Sequence, residues 1–160
     1  ALGIRLSSKG TILFKQERVG KGGKIFVLYK FRTMYMDVPN YEEAPTRSDD
    51  PRVFGFGRFL RRSSLDEIPQ LINVLKGDMS MVGPRPEMPF IVEKYDVWQR
   101  RRLLVKPGIT GLWQIIGRKD LPLHANLEYD LYYVQNMSLF NDILILLKTI
   151  PVVFFGKGAY

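Results

Sequence analysis

The sequence predicts an α+β domain, mainly helical, with a small N-terminal β-hairpin. Three observations carry this reading. Residues 11–14 and 24–31 are β-branched and aromatic runs separated by Gly20-Lys21-Gly22-Gly23, the composition of a hairpin turn. After residue 53, apolar residues recur at helical spacing, most regularly at Leu65, Ile68, Leu71, Ile72 and Leu75. No stretch reaches the roughly 18 consecutive apolar residues of a membrane span, so the helices are expected to be buried or interfacial in a compact body. The 160 residues read as one domain, 1–160, long enough to bury a core.

Composition narrows the chemistry. The formal net charge of +8 points to an anionic partner: nucleic acid, a phosphorylated small molecule or an anionic lipid surface. The absence of cysteine removes disulfides, thiolate nucleophiles and Cys-type zinc sites. A single histidine, His124, excludes a multi-histidine metal centre and is given no catalytic role.

Residues 1–36 read as β-rich, and Ala1-Leu2-Gly3-Ile4-Arg5 as the continuation of a longer chain. Lys15, Arg18, Lys21, Lys24, Lys30 and Arg32 line the hairpin, which fits a charged, solvated edge as well as an anion-binding surface. Residues 37–52, acidic and proline-punctuated, read as a mobile loop. Residues 53–62 read as a short helix or turn with Arg58, Arg61 and Arg62.

Ser63-Ser64-Leu65-Asp66-Glu67-Ile68-Pro69-Gln70 then places two adjacent carboxylates at the start of the most regular amphipathic run. Ser64 with Glu67 is a capping box, which would put Asp66 in the first helical turn. Pro69 equally allows the helix to begin there, leaving the carboxylates on the turn that enters it. Helical geometry sets Asp66, Gln70 and Asn73 opposite the apolar stripe, and Glu67 at its border beside Leu71 and Val74. This window by itself fits a capped surface helix. Gly77 ends the helix.

In Gly83-Pro84-Arg85-Pro86, two prolines restrict the backbone around one arginine and aim its guanidinium at modest entropic cost. A proline-stiffened connector fits the same residues. Residues 87–104 read as a helix packed through Phe90, Ile91, Tyr95, Trp98 and Leu103, ending in Arg100-Arg101-Arg102 on a solvated face or a headgroup layer. Residues 106–114 form a glycine-rich loop suited to cradling phosphate, without the spacing of a P-loop. Gly117-Arg118 closes it. Helices are expected over 121–135 and 139–155, the latter apolar but interrupted by charge and Pro151, hence interfacial.

From Ser64-Leu65-Asp66-Glu67-Ile68-Pro69-Gln70-Leu71 the chain resembles the bacterial sugar transferases, the monotopic polyprenyl-phosphate sugar-1-phosphate transferases of surface-polysaccharide assembly. Gln16-Glu17-Arg18-Val19-Gly20, Leu28-Tyr29-Lys30-Phe31-Arg32-Thr33-Met34, Lys76-Gly77-Asp78-Met79-Ser80, Gly83-Pro84-Arg85-Pro86, Lys106-Pro107-Gly108-Ile109-Thr110-Gly111 and Tyr129-Asp130-Leu131-Tyr132-Tyr133-Val134 extend the match over nearly the whole chain. The resemblance implies a compact membrane-surface domain with interfacial helices, on the cytoplasmic face of a bacterial inner membrane. It implies a two-step exchange in which a carboxylate attacks the β-phosphorus of a UDP-sugar, expels UMP, and passes the phosphosugar to polyprenyl (undecaprenyl) phosphate.

By motif, Asp66 is implied as nucleophile and as protein contact of Mg2+, and Glu67 as its partner in proton handling. Arg85, between Pro84 and Pro86, is implied as a donor-binding residue. Arg61 and Arg118 are implied phosphate contacts, with Lys30 and Arg32 as further candidates. Arginines and a helix N-terminus are expected to depress the pKa of Asp66, and the apolar border to raise that of Glu67. Members carry a membrane-dipping helix before the segment matching residues 1–14; that helix is expected to be missing here. A nucleic-acid-binding module and a catalytically idle membrane-surface adaptor are the alternatives; with the transferase no nucleic acid is expected, and a homo-oligomer is compatible. No residue pattern distinguishes glucose, galactose or N-acetylated sugars.

Overall fold

The computed structural model describes residues 1–38, 47, 49–116 and 127–154. Its elements are α1 (Leu2–Ser7), β1 (Leu13–Val19), β2 (Ile25–Phe31), α2 (Gly55–Arg62), α3 (Gln70–Lys76), β3 (Ser80–Val82), α4 (Pro89–Val92), β4 (Gly108–Thr110), α5 (Leu112–Ile116), α6 (Glu128–Gln135) and α7 (Leu139–Phe154). The α+β class and the hairpin agree with expectation. The opening residues differ: α1 is helical, and its Ile4 enters a cluster with Phe54 and Leu60. Most of the 37–52 loop, His124, Arg118 and the first part of the 121–135 helix lie outside the described residues.

β1 and β2 pair antiparallel, with Leu13 opposite Phe31 and Val19 opposite Ile25. Gly22 and Gly23 take φ of +67° and +80° in the turn, which explains the glycine pair there. Alternation along the strands puts Phe26, Leu28 and Lys30 on one face with their cross-strand partners Arg18, Gln16 and Phe14. Phe26 and Leu28 pack on Met79. That face therefore turns inward carrying a lysine and an arginine, while Lys15, Lys21 and Lys24 stay exposed.

β3 and β4 form a second, parallel pair, Ser80 beside Gly108 and Val82 beside Thr110. The glycines serve close approach: a Cβ on Gly108 would stand 2.1 Å from the Gly83 nitrogen. The glycine-rich stretch is thus a strand packed on backbone, not a phosphate cradle. Its Gly108 N–H is donated to Pro84 O at 3.0 Å, and Thr110 meets Thr149 of α7. Gly108→Ala is expected to cost about 3 kcal/mol through overpacking, which lowers the melting temperature by roughly 6–12 °C for a domain of this size; thermal denaturation checks it.

The helix expected over 87–104 is broken. α4 stops at Val92, and a 3-10 turn runs from Gln99 to Leu104. Side chains hold the backbone between them. The Arg100 guanidinium donates to Glu93 O and Tyr95 O, and Gln99 Oε1 accepts from the Asp96 N–H. The three arginines also part company: Arg100 and Arg101 are exposed, whereas Arg102 is buried.

α3 carries the largest departure. Most of its apolar residues face outward, Leu75 88% exposed, Leu71 43% and Ile72 41%, as does Ile68 just before it at 48%, while Val74 packs on Phe26, Leu28 and Met79. Its polar residues face the protein, Gln70 3% and Asn73 0% exposed. Asn73 explains the inversion. Its amide donates to Val27 O at 2.7 Å and accepts from the Tyr29 N–H at 3.1 Å, so one side chain satisfies the open edge of β2 where a third strand would lie. α7 shows a second exposed apolar face, with Leu139, Phe140, Ile143, Leu147 and Ile150, while Ile145 packs inward on Val82 and Tyr133.

Candidate active site

Asp66 and Glu67 lie on a 3-10 turn, Leu65–Glu67, between α2 and α3, and Pro69 caps α3. The carboxylates therefore stand on the turn that enters the helix. Ser64 makes no side-chain cap and takes φ +54°, the single non-glycine residue with positive φ among those described. Such backbone conformations cost about 1 kcal/mol or more and gather at functional sites.

The two carboxylates meet different surroundings. Glu67 Oε1 accepts a hydrogen bond from Lys30 Nζ at 2.7 Å and lies 3.4 Å from both Arg85 Nη atoms. It points at the inner face of the hairpin, away from the expected apolar border. Asp66 is 9% exposed, and no hydrogen bond from a described residue reaches its carboxylate. Burial raises its pKa, against the opposing charges of Lys30, Arg61 and Arg85. This corrects the expected depression: removal from water outweighs nearby cations that stop short of hydrogen bonding. Burial likewise pushes the Lys30 ammonium below its usual range, against the pull of Glu67.

Lys30 and Arg85 thus converge on Glu67, and Arg61 acts on Asp66 from the last turn of α2. Pro84 and Pro86 are buried on either side of Arg85. Arg18, Lys30, Gln70, Arg85 and Pro86 line a small cleft above the hairpin face. Arg32 goes elsewhere. Its guanidinium donates to the carbonyls of Thr11, Ser8 and Met34 and to Ser8 Oγ, tying α1 to the hairpin. Arg118 lies outside the described residues. Gln70 and Arg18 join the cleft though neither was given a site role; helical phase with Asp66 was the available signal for Gln70, and strand alternation with Lys30 for Arg18.

Chemically, a buried carboxylate with no donor among the described residues stands beside an ion-paired one, with cations arriving from three separate elements. That arrangement suits an anionic, polyphosphate-like ligand approached by an oxygen nucleophile. Among the described residues no group of three or more His, Cys, Asp or Glu forms a metal cage. Magnesium needs none, because it takes one or two carboxylates and completes its shell with water and substrate phosphate. Asp66 fits that donor set, since Glu67 is already occupied by Lys30 and Arg85.

The comparisons with known proteins agree with one another. Residues 1–156 match the family profile described as bacterial sugar transferase. The chain is 43% identical to an undecaprenyl-phosphate galactose phosphotransferase of Salmonella typhimurium, over 94% of this chain and 35% of that protein. It is 41% identical to the exopolysaccharide production protein ExoY of Sinorhizobium fredii, over 98% of this chain and 76% of ExoY. It is 40% identical to a UDP-N-acetylgalactosamine-undecaprenyl-phosphate N-acetylgalactosaminephosphotransferase of Aeromonas hydrophila, over 98% of this chain and 38% of that one. The chain thus spans about a third of the length of the Salmonella and Aeromonas relatives.

Proposed function

Because this chain belongs to the bacterial sugar transferase family, we propose that it moves a sugar 1-phosphate from a UDP-sugar to polyprenyl (undecaprenyl) phosphate and releases UMP. The observation that carries the reading is Asp66, a buried carboxylate that no donor from the described residues engages, ringed by Lys30, Arg61 and Arg85. The printed names of the Salmonella and Aeromonas relatives, with undecaprenyl phosphate as carrier, support the acceptor class.

In the proposed first step an Asp66 oxygen bonds to the β-phosphorus as the bond to the bridging oxygen breaks. UMP leaves with that oxygen, and an aspartyl phosphosugar remains. In the second, a phosphate oxygen of the polyprenyl phosphate attacks the same phosphorus and Asp66 departs as carboxylate. No proton transfer is obligatory while the carboxylate and phosphates are ionised, so positioning and charge neutralisation carry the catalysis. Lys30 and Arg85 supply positive charge on the side of Glu67, which holds both cations in place. Magnesium, held by Asp66, would neutralise phosphate charge when bound.

The exposed apolar faces of α3 and α7 support attachment to the inner membrane's cytoplasmic surface, where the lipid acceptor resides. No helix among the described residues is long and apolar enough to cross a membrane. Surface binding by apolar faces with a positively charged body is the mode that supports this reading.

The test is a panel of UDP-galactose, UDP-glucose and UDP-N-acetylgalactosamine with polyprenyl phosphate, read as UMP release. At least one donor should give turnover with ping-pong kinetics; no UMP from any donor in the complete enzyme would sink the reading. The pH profile carries a second expectation. Asp66 must be ionised to attack, and its pKa is raised, so the acid limb of kcat/KM falls above the ordinary 3.8 of aspartate. Lys30, lowered by burial, places the basic limb below its ordinary 10.5. Both limbs belong to the coupled Asp66–Glu67–Lys30 group rather than to single residues. An acid limb at or below 3.8 would contradict the burial argument.

A further inference from the structure

Four consecutive carbonyls of the proline–arginine strap are held by three parts of the fold: β4, the 3-10 turn before it and β1. Pro84 O accepts from the Gly108 N–H at 3.0 Å, and Glu87 O from the Val19 N–H at 2.9 Å. Between them, Arg85 O accepts from Arg102 Nη2 at 2.6 Å, and Pro86 O from Arg18 Nη1 at 3.1 Å. On the N-terminal side, the Gly83 N–H is donated to Thr110 O at 2.9 Å.

Arg102 is the unusual member. It is 3% exposed, although it sits in a run of three arginines whose other members face water. Its Nη1 donates to the Tyr95 hydroxyl at 2.6 Å, and its Nη2 also meets Asp130 Oδ2 at 2.5 Å. Burial keeps Tyr95 protonated, its pKa pushed up to about 12. Taking a guanidinium and a carboxylate out of water is a poor way to stabilise a fold, because desolvation offsets most of the attraction. The pair does fit another purpose. Pro86 confines Arg85 to the extended region, and within that range a change in the Arg85 ψ still turns its carbonyl. The bond from Arg102 holds that carbonyl.

We propose that Arg102, anchored by Asp130, is a positioning residue for Arg85: it fixes the peptide from which the Arg85 guanidinium reaches Glu67 and, given the transferase reading on which this rests, the donor's diphosphate. A network running from α6 through the 3-10 turn thereby sets the direction of a side chain in the cleft. Arg18 acts on the next carbonyl from the hairpin side.

The test uses the paired replacement Arg102→Met with Asp130→Leu, which removes both charges and leaves neither buried alone. The melting temperature should stay within about 4 °C of wild type, as apolar replacement of a buried pair allows. The KM for the UDP-sugar, read as UMP release with polyprenyl phosphate present, should rise about ten-fold, the equivalent of one lost hydrogen bond to a charged group. Amide hydrogen exchange at Gly108 and Val19, whose N–H groups are donated to Pro84 O and Glu87 O, should accelerate by about the same factor. In an Arg85→Ala background the paired replacement should add no further rise in KM, because the two act through one side chain. An equal rise on that background, or unchanged exchange at Gly108 and Val19, would overturn the proposal. If the paired variant does not fold, Arg102→Lys keeps the buried charge but loses the fork that spans three acceptors, and the same readouts decide. A wild-type protein that releases no UMP refutes the transferase reading alone, since the exchange measurement needs no turnover.

Discussion

Asp66→Asn is expected to abolish UMP release and covalent capture of the phosphosugar, and at the same time to make the protein more stable. The first effect follows from the proposed chemistry: an amide cannot act as the departing and attacking oxygen, and loss of a nucleophile costs on the order of 10³-fold or more. The second follows from the surroundings. Asp66 is 9% exposed, and its carboxylate receives no hydrogen bond from the described residues, so the charged form is held at a cost. Burial raises its folded pKa above the unfolded value. A carboxyl raised in this way contributes its full stability below the unfolded pKa, and that contribution is lost as pH rises through the folded one. Wild type and Asp66→Asn should therefore melt together in acid and separate near neutrality, with the asparagine variant higher. Relief of about 1 kcal/mol corresponds to roughly 2–4 °C in a domain of this size. Glu67→Asn should do the opposite and melt lower, because it strands Lys30 and Arg85. Normal turnover by Asp66→Asn would falsify the nucleophile assignment.

The second large effect separates the two half-reactions. Leu71→Glu with Leu75→Glu alters only the outward face of α3, where these residues are 43% and 88% exposed. The fold should be untouched. If this face lies in the lipid interface, each leucine contributes on the order of 1.5–3 kcal/mol of attachment, so losing both weakens vesicle binding by roughly 100-fold or more. The stoichiometric burst of UMP from a soluble UDP-sugar should persist, because Asp66, Lys30 and Arg85 are unchanged. Multiple turnover with polyprenyl phosphate in vesicles should collapse. Loss of the burst as well would place the defect in the site rather than in attachment, and undiminished vesicle turnover would remove α3 from the interface.

Much of the architecture was legible before any coordinates. Strand composition around Gly20-Lys21-Gly22-Gly23 located the hairpin, because glycine is needed where φ turns positive. Gly77 located the end of α3 for the same reason, with φ +82°. The order of motifs identified the family, which the match over residues 1–156 establishes. The resemblance named Glu67, Arg85 and Lys30 among the site residues, but that Lys30 and Arg85 meet on Glu67 followed from no local rule of spacing.

What misled was the direction of the helices. Period 3.6 divides α3 into an apolar and a polar side with certainty, but it is silent about which side meets the protein. In water the apolar side turns inward. Here Asn73 completes the edge of β2 and Gln70 closes the cleft, so the polar side is the inner one. A helix whose polar side completes a sheet edge reads the same in one dimension as a helix whose apolar side fills a core. The same limit hid Arg102. Three consecutive arginines look like a solvated end until Asp130, twenty-eight residues away, is found opposite the third.

The sequence by itself determined the class of fold and the family, because these depend on local periodicity, turn chemistry and motif order. Only the tertiary structure decided that Asp66 is buried with no donor among the described residues while Glu67 gathers Lys30 and Arg85, that Arg32 serves α1, and that the buried Arg102–Asp130 pair meets the Arg85 carbonyl. Those outcomes depend on which surfaces are taken out of water together, and desolvation is a property of the assembled chain, not of any stretch within it.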